Sequence, residues 1–151
     1  MIQWSTGNAG RRALHGILSH PELELVLAGG NPESPRSERR WLRRLERNVP
    51  RPARDRIRLR GWLGAEALAR EYRRATALLA PSWIESFGLA ALEAMACGVP
   101  VAASDVGGLP EIVDHTVGGL FRPGDPQELA DTVLALLEDP ALSEKGETAR
   151  G

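Results

Sequence analysis

Two carboxylates with seven residues between them offer the first chemistry in this chain. Glu85 and Glu93 bracket Ser86-Phe87-Gly88-Leu89-Ala90-Ala91-Leu92. The short apolar run Ala77 to Ala80 reads as a buried strand ending at Pro81-Ser82. Gly88 then opens an apolar helix that stops at Gly98 and Pro100. Such a helix presents N–H groups without intrahelical partners, from Ser86 to Leu89, at the carboxyl end of a strand. Ligands of open α/β sheets bind there, and a helix start in that place favours an anion such as phosphate. A helix start also favours the ionised form of both glutamates. That suits hydrogen-bond acceptance better than the proton donation a glycosidase acid needs. Two structural alternatives stand beside this reading: Glu85 as a capping carboxylate, and Glu93 as a plain exposed helix residue.

Other chemistries find little support. His15, His20 and His115 lie in three separate segments without acidic or Cys partners at ligand spacing, so no metal site is expected. No serine sits in a G-x-S-x-G elbow, and no Cys–His arrangement is visible. The single Cys97 has no disulfide partner, reads as core packing late on an apolar helix, and suits a reducing, cytoplasmic setting. No basic segment leads into an apolar one at the start, so no secretory signal is indicated. No apolar run approaches the ~18–20 residues that span a bilayer.

Charge is unevenly spread. Residues 1–80 hold 16 Lys/Arg and 8 Asp/Glu, a net of +8, whereas residues 81–151 hold 3 and 12, a net of −9. A basic half attracts nucleic acid, an anionic membrane surface or a phosphorylated substrate; solvated helix faces and pairing between the halves are the plainer account. The eleven arginines of residues 36–60 come without a patterned aromatic platform for bases, so no nucleic-acid partner is expected. Peripheral membrane contact stays open.

The elements that must position the two glutamates follow from apolar runs and turn residues. Strands are predicted at 1–4, 23–28, 57–60, 77–80, 101–103 and 118–121, alternating with helices that include 65–75, one from Pro110, and one begun by Asp125-Pro126. Six strands alternating with helices imply a single α/β, Rossmann-like domain over residues 1–140, a parallel sheet covered on both faces. Residues 141–151 are polar and are expected to fray. Tyr72 is assigned to the core. Trp62 and Leu63 follow the 57–60 strand, and packing of Trp62 at the sheet's end is the structural alternative to a ligand role.

The ordered set of motifs across residues 78–137 resembles the donor-binding, carboxyl-terminal half of family-four retaining glycosyltransferases of GT-B architecture. It comprises Glu85-x7-Glu93 with Ser-Phe-Gly-Leu inside, then Glu93-Ala94-Met95-Ala96-Cys97-Gly98-Val99-Pro100-Val101. Asp105-Val106-Gly107-Gly108-Leu109-Pro110-Glu111-Ile112-Val113, Gly118-Gly119-Leu120-Phe121 and Pro123-Gly124-Asp125 complete it. The resemblance implies that Glu85 faces the donor sugar, that Glu93 binds the nucleotide ribose hydroxyls, and that the backbone of Ser86, Phe87, Gly88 and Leu89 holds the diphosphate. It places Trp62 and Leu63 near the nucleotide base. A nucleotide-diphospho-sugar is then the donor substrate, no cofactor or metal is required, and an acceptor-binding domain or subunit is the missing partner.

Residues 2–26 carry a second resemblance, to the NAD(P)-binding start of dihydrodipicolinate-reductase-like amine dehydrogenases. Ser5-Thr6-Gly7-Asn8-Ala9-Gly10 is a degenerate form of their glycine-rich turn, with Ser5 at the first glycine position. Gly7 and Gly10, with Arg11 at the helix start, are phosphate-binding candidates. No acid ends the second strand at Gly29-Gly30-Asn31, where a ribose-binding carboxylate belongs in a dinucleotide fold. The chain reads as a splice of two βαβ beginnings sharing a strand near Leu25. An NAD(P)-binding module and an inert chimeric or truncated domain are the alternatives to donor binding.

Overall fold

The computed structural model describes residues 20–29 and 51–151. Among these, β1 (Leu25–Ala28), α1 (Arg51–Arg54), β2 (Ile57–Gly61) and α2 (Ala65–Arg74) come first. They are followed by β3 (Leu78–Ala80), α3 (Leu89–Ala96), β4 (Val101–Ser104), α4 (Leu109–Ile112), β5 (Gly118–Phe121), α5 (Pro126–Glu138) and α6 (Leu142–Arg150). Five of the six expected strands are thus in place; the one expected at residues 1–4 lies outside the described residues. β1 pairs in parallel with β2, and β3, β4 and β5 form a parallel sheet with β4 in the middle.

Side chains alternate across the strands, and both faces of the β3–β4–β5 sheet are covered, whereas Arg58, Leu59 and Arg60 of β2 are exposed. Leu78 and Ala80 of β3, with Val101 and Ala103 of β4, pack against Tyr72, Ala91, Ala94, Leu109 and Val113 from α2, α3 and the α4 region. The intervening Leu79 and Ala102 point the other way, into a cluster with Phe121 and with Leu129, Val133 and Leu136 of α5. Leu25 and Leu27 of β1 join that second cluster, so one core backs both sets of strands. The start of α5 forms as its sequence dictates. The Asp125 carboxylate accepts from the N–H groups of Gln127 and Glu128, each at 3.0 Å, and Pro126 stands in the first turn, where an N–H is dispensable.

The polar segment from 141 differs from expectation. Instead of fraying it forms α6, which lies against the end of α3. Gly146 permits the approach: a β-carbon there would collide with the Gly98 carbonyl, falling 3.4 Å from its carbon and nearer still to its oxygen. Arg150 donates to the Cys97 carbonyl at 3.3 Å, so a cation meets the negative end of the α3 dipole. Lys145 donates to the His115 carbonyl and lies 3.5 Å from the Asp139 carboxylate. Polarity along the sequence concealed this helix because its contacts are long-range: the close approach at Gly146 and the packing of Leu142 against the core.

Candidate functional site

The connection from β3 to α3 carries the site. Gly88 sits at the start of α3 with φ 74° and ψ 35°, a left-handed conformation that costs other residues about 1–2 kcal/mol. A β-carbon there would also press to 3.0 Å on Leu109 and Ile112 of α4. The turn between β4 and α4 closes on the same segment from the other side. At Gly107, φ is 54°, and an added β-carbon would lie 2.8 Å from the Glu85 carbonyl carbon and closer to its oxygen. The Gly108 N–H points at that oxygen at 3.4 Å. Backbone packed on backbone therefore fixes the course of residues 85–87.

Glu85 turns back on the helix start. Its Oε1 accepts from the Gly88 N–H at 3.1 Å and from the Phe87 N–H at 3.4 Å. Two of the amides expected to face an anionic ligand thus meet a carboxylate of the chain itself, and Glu85 stands here as a cap. Ser86, Phe87 and Leu89 lie on the surface, Phe87 at 72% and Leu89 at 65% exposure. Trp83 and Ile84 just before them are exposed too, so large apolar side chains ring the turn.

Glu93 is exposed on α3, and its Oε2 accepts from the Tyr72 hydroxyl at 3.2 Å. Tyr72 comes from α2 and is 2% exposed, its ring inside the cluster that holds Ala91 and Ala94. Burial first, and then the Glu93 charge and bond, push the phenol well above its usual range, so the hydroxyl remains a donor. The sequence places Tyr72 in the core correctly but does not reveal this bond. The available signal was chemical: a buried tyrosine needs a partner for its O–H.

Trp62 and Leu63 lie on the connection from β2 into α2. Trp62 is 61% exposed and does not pack away at the sheet's end; Leu63 is half-buried. Gly7, Gly10 and Arg11 lie outside the described residues. Among the described residues, no group of three or more His, Cys, Asp and Glu side chains gathers in a way that could hold a metal ion. No helix among them is long and apolar enough to cross a membrane.

Parallel strands covered on both faces, with an anion-accepting turn between strand and helix, define a Rossmann-like α/β domain of the kind that forms half of a GT-B fold. The chain belongs to the family of glycosyl transferases group 1, which it matches over residues 11–139. It is 46% identical over 90 residues to the D-inositol 3-phosphate glycosyltransferase of Streptomyces avermitilis, a stretch covering 59% of this chain and 19% of that protein. The chain therefore spans about a fifth of the length of this curated relative. Among solved structures, sucrose-phosphate synthase from Thermosynechococcus elongatus superposes with a TM-score of 0.78 at 36% identity, covering 95% of this chain and 37% of that one. Anabaena HepE in complex with UDP-glucose gives a TM-score of 0.72 at 22% identity, over 97% of this chain and 40% of that one, a likeness of fold. The superpositions identify the domain as the carboxyl-terminal half of the GT-B architecture. The family match begins at residue 11, so most of the stretch that resembles an NAD(P)-binding start falls within it.

Proposed function

We propose that this domain binds a nucleotide-diphospho-sugar across the start of α3 and serves retaining glycosyl transfer once an acceptor-binding domain is supplied. The observation that carries the reading is the Phe87–Gly88 amide pair closing on a carboxylate oxygen, in a chain of this family. Those amides would receive the diphosphate, with Glu85 displaced toward the sugar. As the bond from the anomeric carbon to the diphosphate oxygen breaks, negative charge grows on the departing group, and the N–H donors, freed of Glu85 and backed by Gly107 and Gly108, would stabilise it. Glu93 lies five residues beyond Gly88, a rise of about 7.5 Å along the helix, and its carboxylate would accept from the ribose diol.

Incompleteness has its own support. Trp83, Ile84, Phe87 and Leu89 are exposed around the turn, and the chain spans only part of its relatives. The domain alone is therefore expected to bind donor with little or no turnover. Calorimetric titration with UDP-glucose, GDP-mannose and ADP-glucose tests the site; UDP-glucose heads the panel because it is the ligand of Anabaena HepE. One of the three should bind saturably, and Glu93→Gln should weaken it by about tenfold, the scale of a lost charge-assisted bond. Glutamine keeps an acceptor for Tyr72, which Glu93→Ala would leave buried without one. If no sugar nucleotide saturates the wild type, the reading is refuted.

A further inference from the structure

Tyr72 reaches Glu93 from another helix, and this contact carries an inference that rests on the donor-binding reading. An exposed glutamate on a helix ordinarily samples several rotamers, and fixing such a side chain on binding opposes affinity. Here Tyr72, buried among Leu78, Ala91, Ala94 and Val101, cannot move its ring without disturbing the core. Its hydroxyl stands at a fixed point beside α3, 3.2 Å from Glu93 Oε2. We propose that Tyr72 is a positioning residue: its hydroxyl holds the Glu93 carboxylate in the orientation that accepts both ribose hydroxyls of a nucleotide. One oxygen is pinned by the phenol while Oε1 and the remaining lone pair of Oε2 face the diol. The hydroxyl keeps its proton over the working pH range and so remains a donor to Glu93.

The test compares wild type, Tyr72→Phe, Glu93→Ala and the double variant in titrations with UDP, GDP and ADP and their 2′,3′-dideoxy counterparts. Phenylalanine keeps the ring and removes only the hydroxyl, so thermal stability should stay close to wild type, a condition checked first by calorimetric melting. Tyr72→Phe should weaken the ribonucleotide about two- to tenfold, the cost of ordering one side chain, and leave the dideoxynucleotide unchanged. In the Glu93→Ala background it should have no effect on either. Equal weakening of both nucleotides, or of neither, would overturn the positioning role while leaving the donor site standing. Failure of the wild type to bind any of the three, or to prefer the ribose form, would overturn the donor-binding reading and this inference with it.

Discussion

Replacing Gly107 by alanine should distort the Glu85–Gly88 turn without unfolding the domain. Two terms act. The left-handed φ of 54° costs a residue with a β-carbon about 1–2 kcal/mol, and no local rearrangement removes that cost while the turn keeps its shape. The added carbon would also overlap the Glu85 carbonyl, and separating the two backbones to ordinary contact requires roughly two ångströms. Gly107 is exposed, so the second term is relieved by movement of the loop and not by strain in the core. The loss of stability should therefore be about 1–2 kcal/mol, modest beside a typical domain's 5–15 kcal/mol. The displacement falls on residues 85–87, whose carboxylate and amides form the turn. Urea unfolding measures the first effect, and hydrogen exchange at the Gly88 amide, bonded to Glu85 at 3.1 Å, reads the second. That exchange should quicken in Gly107→Ala. Gly64→Ala is the control, because Gly64 has φ −67° and an added carbon would meet only Trp62, at 4.0 Å. Equal stability in the two variants, with unchanged exchange at Gly88, would refute the claim that backbone contact holds the turn.

Further outcomes follow from other contacts. Gly146→Ala should destabilise the protein by about 1–3 kcal/mol despite alanine's advantage of about 1 kcal/mol inside a helix, because the new carbon meets backbone at Gly98; urea midpoints decide the sign. Phe121→Ala, at a site 2% exposed, should cost about 3–5 kcal/mol, whereas Phe87→Ala, 72% exposed, should stay within about 0.5 kcal/mol in the same assay. The Asp125 carboxyl is held below its usual range, chiefly by the Glu128 N–H, so its contribution is full above the ordinary carboxylate pKa of about 4 and disappears as pH falls through the lower folded value. Asp125→Asn should therefore melt below wild type at pH 7, and the gap should narrow on acidification; a gap independent of pH would contradict the assignment.

Much of the architecture was legible because it is local. Asp125 before Pro126, Gly88 before an apolar run, and short buried stretches such as Val101 to Ala103 each specify an element through a few neighbouring residues. The pair Glu85 and Glu93 was legible through its place in an ordered set of motifs. What escaped depends on distant contacts. The helix from Leu142 docks through Leu142 on the core and through Gly146, which fits a carbonyl 48 residues away in sequence, and no periodicity records either contact. The bond from Tyr72 to Glu93 joins two helices through a core whose shape had to be seen. The fold of Glu85 onto its own turn was one of two readings, and the sequence could not choose between a carboxylate aimed outward and one turned inward.

That inward turn would set how tightly the proposed donor could be held there. Under the donor-binding reading proposed above, an arriving pyrophosphate would not find two amides waiting for water to leave; it would have to evict a negative group already bonded to Phe87 and Gly88. The net gain would be the difference between two anions competing for one pair of donors, smaller than either contact alone would suggest. The same rivalry would keep the loop's shape between visits, so that tightness is traded for readiness.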